Sequence, residues 1–119
     1  MSYSTIPYER NMSVMDQTPY ETGKGSVYLD HLLEGEDLNN KCSLFARVTI
    51  KPGDALHVHP HIGEAESYYI LQGTGLYTDN DREYLVSAGC VTYTGDGEKH
   101  GIKNVGEDDL VFIALIING

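Results

Sequence analysis

Short segments in which apolar and polar residues alternate dominate the sequence from residue 27 to the C-terminus. The clearest lies at residues 44–50, where Leu44, Ala46, Val48 and Ile50 occupy every second position. This period of two is that of a β-strand, because successive side chains point to opposite faces of a sheet. The segment stops at residues 51–54 (KPGD), whose composition is typical of a turn. The pattern therefore predicts strands separated by tight turns.

The same reasoning predicts further strands along the rest of the chain, at residues 55–61, 66–72, 75–78, 83–86, 91–94, 100–105 and 110–117. The segments 75–78 and 83–86 flank the sequence DNDR and predict a hairpin. Leu29, Leu32 and Leu33 fit either a short helix or a strand, and the pattern leaves that choice open. Evenly spaced short strands with glycine at the corners, and no interleaved helical pattern, favour an all-β sandwich or barrel.

The last predicted strand is apolar on both of its faces. Leu110, Phe112, Ala114 and Ile116 alternate with a second apolar set, namely Val111, Ile113, Leu115 and Ile117. An antiparallel strand with one face in water would show polar residues at every second position. We therefore expect something to cover the second face, and a second subunit is the simplest candidate, which makes a homodimer the expected assembly.

The charge balance narrows the classes of partner. The 119 residues include 18 acidic and 8 basic side chains, for a net charge of −10. Binding to a phosphate backbone or to an anionic lipid surface needs clustered cations, so we expect neither nucleic acid nor a membrane as a partner. No apolar run approaches the length of a membrane span, and the two cysteines do not suggest a disulfide framework. These features favour a cytoplasmic protein.

Residues 1–26 differ in character from the rest of the chain. They are rich in Ser, Thr, Tyr, Pro and Asn and show no period. We expect an extended N-terminal arm at residues 1–26, with a frayed terminus as the alternative, and one β-domain at residues 27–119.

Histidines are the chemically informative feature of the domain. His57, His59 and His61 recur at every second position, so one strand can direct them to one side, and His100 follows later. Glu66 supplies a carboxylate shortly after the first group. Imidazoles together with a carboxylate are ligands typical of first-row transition metals. A histidine-rich loop that binds metal without specificity is the alternative reading of the same residues.

The spacing of these residues resembles the pair of motifs that defines the cupin superfamily. In the first motif Gly53 is followed by His59-Pro60-His61, then by Glu66 and Gly73, and every fixed position matches. The second motif begins at Gly89 and contains Gly95-Asp96-Gly97, His100 and Asn104. It departs from the family at Gly95, where proline is usual, so we expect a looser turn before His100. The resemblance extends over residues 42–117.

The resemblance implies a jelly-roll barrel, also called a double-stranded β-helix, and a metal centre. The family's four metal ligands correspond to His59, His61, Glu66 and His100. Three nitrogens and one oxygen without a thiolate suit a divalent transition metal such as Mn, Fe, Ni or Zn. An octahedral ion would retain two positions for water, dioxygen or a chelating substrate. A shifted register that uses His57 with His59 is the competing assignment, and it fits the spacing from Gly53 less well.

Small single-domain cupins include dioxygenases, sugar isomerases and decarboxylases of small carboxylic acids, so the resemblance implies a metal-dependent enzyme for a small oxygenated or carboxylic-acid substrate. The alternative is a cupin that binds a metal or small ligand without turnover. Candidate acid–base residues are His57, Tyr69 and Glu64. Arg47 and Tyr93 are candidate substrate-binding residues. Arg47 could bind a carboxylate if it faces the cavity, or act as a surface cation if it faces outward.

Overall fold

Regular structure in the described part of the chain is almost entirely β-strand. The computed structural model describes residues 14–15 and 27–119. Its strands are β1 (Val14–Met15), β2 (Val27–Leu33), β3 (Cys42–Ile50), β4 (Ala55–Pro60), β5 (Glu64–Gln72), β6 (Thr74–Asp79), β7 (Arg82–Ser87), β8 (Val91–Thr94), β9 (Lys99–Asn104) and β10 (Leu110–Asn118). A short 3-10 helix, Gly35–Leu38, joins β2 to β3. The prediction of an all-β fold is confirmed.

The strands form two antiparallel sheets that face each other. Within the described residues, one sheet has the order β1-β2-β3-β10-β5-β8 and the other has the order β4-β9-β6-β7. The chain changes sheet at nearly every connection after β3, so strands far apart in sequence become neighbours, as β10 does between β3 and β5. This alternation between two sheets is the double-stranded β-helix, or jelly roll. The barrel architecture predicted from the motifs is therefore confirmed.

The inner faces of the two sheets enclose the hydrophobic core. On β10, Leu110, Phe112 and Ala114 are buried, and Phe112 lies opposite Val48 of β3 and Ile70 of β5. Because directly opposed residues in an antiparallel pair point to the same face, the register aligns the aliphatic residues of three strands. Apolar side chains therefore fill much of the barrel interior, where they lie beside the buried polar residues His61, Glu66 and His100.

Part of the outer face of the six-stranded sheet is also apolar, on strands β10, β5 and β8. Ile113 on β10 lies opposite Tyr69 of β5, which in turn lies opposite Val91 of β8. Tyr69, Val91 and Tyr93 are 48%, 66% and 64% exposed, respectively. We call this surface, formed by the outward side chains Ile113, Leu115, Tyr69, Val91 and Tyr93, the outer apolar face.

Strand pairing decides two features that the sequence does not determine, namely the type of element at Leu29 and the bounds of the hairpin between β6 and β7. The segment with Leu29 is a strand, β2, and Leu29 lies opposite Val48 in the six-stranded sheet. The hairpin between β6 and β7 closes through Asn80 and Asp81, and Asn80 adopts a left-handed φ of 55°. Asparagine tolerates this conformation better than most residues.

Apart from β1, the arm predicted at residues 1–26 lies outside the described residues. No helix in residues 14–15 and 27–119 combines the length and the hydrophobicity that a membrane span requires.

Candidate metal centre

Four side chains that the spacing singles out lie together inside the barrel. They are His59 on β4, His61 directly after β4, Glu66 on β5 and His100 on β9. One ligand atom from each lies within 4.8 Å of the others. His61, Glu66 and His100 are buried, and His59 is partly exposed. Residues from both sheets therefore converge on one point.

The inner atoms of three of these side chains form a close triangle. His61 Nε2 lies 3.0 Å from His100 Nε2, and Glu66 Oε1 lies 2.8 Å from the former and 2.9 Å from the latter. The ring of His59 completes the cluster, with its centroid 5.0 Å from that of His61 and 4.8 Å from that of His100.

Backbone and carboxylate acceptors fix the orientation of two of the imidazoles. The Nδ1–H of His59 donates to the carbonyl oxygen of His57 at 2.7 Å, and the Nδ1–H of His61 donates to Glu64 Oε2 at 2.6 Å. Both partners only accept hydrogen bonds, so in the neutral rings the proton resides on Nδ1. The Nε2 atoms of His59 and His61 then carry lone pairs, and the carboxylate oxygens of Glu66 likewise offer lone pairs.

His100 is held by two hydroxyl groups, one from a tyrosine that is a candidate hydrogen-bond donor from the sequence and one from a threonine that the sequence did not single out. Its Nδ1 lies 2.8 Å from the hydroxyl of Tyr77 on β6 and 2.8 Å from that of Thr94 on β8. The two hydroxyls are also 2.8 Å apart and fully buried. Burial lowers the pKa of His100, against the opposing effect of Glu66, and burial raises the pKa of the Tyr77 hydroxyl. The sequence signal that could have identified Thr94 is the alternation of β8, which places this residue on the buried face of its strand.

A β-bulge separates His57 from the cluster. In the pairing of β4 with β9, Leu56 lies opposite Ile102 and His59 lies opposite His100, so an extra residue of β4 is accommodated between them. This interrupts the alternation that would direct His57 and His59 to the same face. His57 is exposed, and its side chain lines a separate depression near Leu76 and Glu83.

Gly101 makes this bulge possible. A Cβ atom at residue 101 would lie 2.8 Å from the backbone nitrogen of Val58 and 3.0 Å from the carbonyl oxygen of Leu56. Only glycine permits such a close approach of two backbones without movement of one of them. The glycine of β9 thus determines which histidine of β4 faces inward.

The turn before His100 is held by several hydrogen bonds, in contrast to the looseness expected from the missing proline. The amide of Gly95 donates to Glu98 Oε1 at 2.6 Å, a bond that proline could not make. The amide of Gly97 donates to the carbonyl oxygen of His61 at 2.7 Å, and Asp96 Oδ1 accepts from the amide of Gly63 at 2.7 Å. These bonds join the turn to the segment that follows His61.

The cluster opens onto a cavity of about 570 Å³ inside the barrel. His59, His61 and Glu66 contribute to its wall, together with Glu64 and Tyr68. The hydroxyl of Tyr68 lies 3.4 Å from His100 Nε2. The rest of the wall is aliphatic and comes mainly from β2, β3, β4 and β10. A small molecule in this cavity would contact the cluster directly.

The remaining candidate residues divide between the cavity and the outside. Glu64 lines the cavity and contacts His61. Tyr69 and Tyr93 lie on the outer apolar face. Arg47 lies opposite Ile113, also on the outer side of the sheet, and binds Asp30 with Nη2 2.7 Å from Oδ2. The structure therefore brings Glu64 to the cluster but does not bring His57, Tyr69, Tyr93 or Arg47 to it.

The donor set fits a divalent transition metal ion. An ion about 2.1 Å from each donor separates neighbouring donors by about 3.0 Å at right angles and by about 3.4 Å in a tetrahedron. The separations among His61, His100 and Glu66 are 2.8–3.0 Å, which agrees with right-angled coordination. Lone pairs directed at one point, together with an anionic carboxylate, are stabilised by a cation there.

These features define a class of small barrels with an internal metal-binding centre open to a cavity. The family model described as the cupin domain matches residues 46–116, and the chain belongs to the cupin family.

Relatives of known name agree with this classification. An oxalate-binding protein of Thermotoga maritima is 47% identical over 95 residues, which are 80% of this chain and 78% of that protein. The crystal structure of a predicted oxalate decarboxylase from Thermotoga maritima superimposes with a TM-score of 0.86 at 41% identity, covering 92% of this chain and 95% of that one. An oxalate decarboxylase of Bacillus subtilis is 28% identical over 118 residues, and the match spans only 29% of its length.

Proposed function

We propose that this protein is a metal-dependent cupin enzyme that acts on a small oxygenated or carboxylic-acid substrate. His59, His61, Glu66 and His100 would hold one divalent transition metal ion, of which Mn, Fe, Ni and Zn suit the donor set. The observation that carries the proposal is the convergence of these donors within 4.8 Å on the wall of a cavity large enough for a ligand. A purely structural ion would have no need of this opening.

The bound ion would act as a Lewis acid that polarises an oxygen of the substrate. The chain's own residues orient the donors and control the surroundings. Glu64, Thr94 and Tyr77 hold the outer nitrogens of the imidazoles, and the aliphatic wall excludes water from the substrate. Among the described residues, Glu64 and Tyr68 are the titratable groups that line the cavity outside the donor set. We assign the exchange of a proton with the substrate to the carboxylate of Glu64.

Three reaction types, dioxygenase, isomerase and decarboxylase, remain open to such a site. The two relatives that are named as a known and a predicted oxalate decarboxylase favour the last of these. A cupin that binds a small ligand without turnover is the alternative, and it is favoured by the relative that is named an oxalate-binding protein.

The test combines metal analysis with turnover. Elemental analysis of the purified protein should find about one equivalent of a divalent transition metal, and His61→Ala or His100→Ala should remove most of it. His57→Ala is the matched control, because its side chain points away from the cluster, and its metal content should equal that of the wild type. Unchanged metal content in both ligand variants would refute the assignment.

Product formation and oxygen uptake over a panel of small carboxylates, thiols and sugars then distinguish catalysis from binding. Metal-dependent turnover of a panel member is the result expected of an enzyme. Metal-dependent binding without turnover would replace the proposal with its alternative.

We also propose that two copies associate through the outer apolar face. The side chains that form this surface are all uncharged, whereas the whole chain has a net charge of −10. Two copies that each carry a net negative charge repel each other, so a patch of uncharged apolar side chains favours their contact. The cytoplasmic location stays a prediction from composition.

A further inference from the structure

The wall of the cavity has two chemically distinct parts. Its polar part is the cluster with Glu64 and Tyr68. The remaining wall carries only apolar side chains among the described residues, chiefly Leu29, Leu44, Val48, Leu56, Val58 and Ile116. Leu29 and Val48 lie opposite each other on neighbouring strands, so the apolar wall is continuous between β2 and β3.

The charges around the cavity limit how many negative charges a ligand can bring. A divalent ion balances the carboxylates of Glu64 and Glu66, and no lysine or arginine among the described residues lines the cavity. Arg47, the cation of β3, binds Asp30 on the outer side of the sheet. A dianion such as oxalate would thus leave the site with two uncompensated negative charges beside aliphatic side chains, which is costly at low dielectric constant. A monocarboxylate adds only one such charge.

The size of the cavity also favours a ligand larger than oxalate. At about 570 Å³ it lies within the range of about 300–1,000 Å³ that is usual for ligands much larger than oxalate. Oxalate consists of two joined carboxylates and has no apolar part that could cover the aliphatic wall. With oxalate bound, the aliphatic wall would stay in contact with water, and the free energy of burying it would not be gained.

We infer that the ligand is a monocarboxylate with an oxygen on the adjacent carbon, a 2-oxo or 2-hydroxy acid, that carries an apolar side chain. This inference rests on the proposed function, because the oxygens of such a ligand would be held at the metal centre. The apolar side chain lies against Leu29, Leu44 and Val48. The competing ligand is oxalate, the molecule in the names of the relatives.

The test compares three probes by calorimetry on the full-length protein loaded with Mn²⁺: oxalate, pyruvate and 4-methyl-2-oxopentanoate. The last two differ only in the size of the apolar side chain. We expect 4-methyl-2-oxopentanoate to bind about tenfold or more tightly than pyruvate, because its additional carbons are buried. It should also bind more tightly than oxalate. Equal binding of the two oxo acids, or tightest binding by oxalate, would overturn the inference.

Removal of the metal separates this inference from the proposed function. All binding should be lost in the metal-free protein. If oxalate binds most tightly and only with the metal present, the inference fails and the proposed function stands. If the metal makes no difference, or if the loaded protein binds none of the probes, both fail.

Two substitutions test the wall itself. Leu29→Ala should weaken 4-methyl-2-oxopentanoate about fivefold or more and leave pyruvate nearly unchanged. Val58→Arg places a cation at a cavity residue that is 48% exposed, so folding should tolerate it, and oxalate should then bind about tenfold more tightly. Leu85→Arg is the matched control at a residue that is 66% exposed on β7, and it should not change any of the three affinities. Identical ligand preferences in Val58→Arg and Leu85→Arg would contradict the inference.

Discussion

The outer nitrogen of each cluster histidine determines what its inner nitrogen can bind. The carboxylate of Glu64 accepts from His61, and the backbone oxygen of His57 accepts from His59, so both rings present Nε2 lone pairs to the centre. Such partners orient a ligand and raise its basicity. Glu64 follows His61 closely in the sequence, so its carboxylate can reach the outer nitrogen of that ring.

Removing the charge of Glu64 should weaken the metal centre without dismantling it. In Glu64→Gln the amide oxygen can still accept from His61 Nδ1, but the carboxylate no longer increases the basicity of the ring. We expect the affinity for Mn²⁺ to fall by about tenfold, measured by competition with a metal chelator. Glu83→Gln, which removes an exposed carboxylate on β7, is the control and should leave the affinity unchanged. Equal affinities in Glu64→Gln and the wild type would refute the orienting role.

The lowered pKa of His100 makes the stability of the metal-free protein depend on pH. Burial holds this pKa below the value of about 6.5 that imidazole has in an unfolded chain, so the unfolded state binds a proton first as the pH falls. The stabilising contribution is therefore complete above pH of about 6.5 and is lost as the pH falls through the lower pKa of the folded state. Thermal unfolding between pH 8 and 5 should show this decline, and His100→Gln should flatten it. An equally steep decline in His100→Gln would assign the effect to other groups.

Among the individual elements, β4 has the greatest effect on the site. Its bulge removes His57 from the inner face and turns His59 toward His100. The feature depends on the neighbouring strand, since Gly101 of β9 provides the space in which the backbone of Val58 lies. A local irregularity in one strand thus selects the histidine that can join the cluster.

Filling this space should disturb both the fold and the metal centre. In Gly101→Ala the new methyl group meets backbone atoms at 2.8–3.0 Å, so β4 must move. We expect a decrease in the free energy of unfolding of about 1–3 kcal/mol and a metal affinity at least about tenfold lower, measured by denaturant titration and chelator competition. Gly106→Ala, where the nearest atom lies 3.5 Å away, should cost less than about 1 kcal/mol. Full metal affinity in Gly101→Ala would show that His59 does not depend on the bulge.

At the scale of the whole molecule, the outer apolar face is an apolar surface of the described residues that a single copy leaves exposed. Tyr93→Lys should weaken self-association, because it introduces a charge into this face at a residue that is 64% exposed and tolerant of a polar side chain. We expect the wild type to sediment as a dimer and the dissociation constant of Tyr93→Lys to rise by about tenfold or more. Leu85→Lys, on the other sheet, is the control and should remain dimeric. A wild-type protein that sediments as a monomer would refute the proposed assembly.

Much of the fold could be predicted from the sequence, because strand periodicity is a local property. The alternation in residues 44–50 and 110–117 predicts strands that the structure contains as β3 and β10. The segment with Leu29 stayed ambiguous, since a few leucines fit two periods, and pairing with Val48 resolves it as a strand. The spacing of the motifs also singled out the residues that lie together in the cluster.

What the sequence alone could not determine is which face of each strand is inside. Register depends on partners far away in the chain, and a bulge opposite Gly101 reverses the expectation for His57. Pairing with distant strands also places Arg47 on the outer side of the sheet. It brings Tyr77 and Thr94 within hydrogen-bond distance of His100. The sequence by itself therefore determined the class of fold and the residues of the cluster. Tertiary structure decided their hydrogen-bond partners and the apolar character of the cavity, because these arise only when distant strands pair and close the barrel.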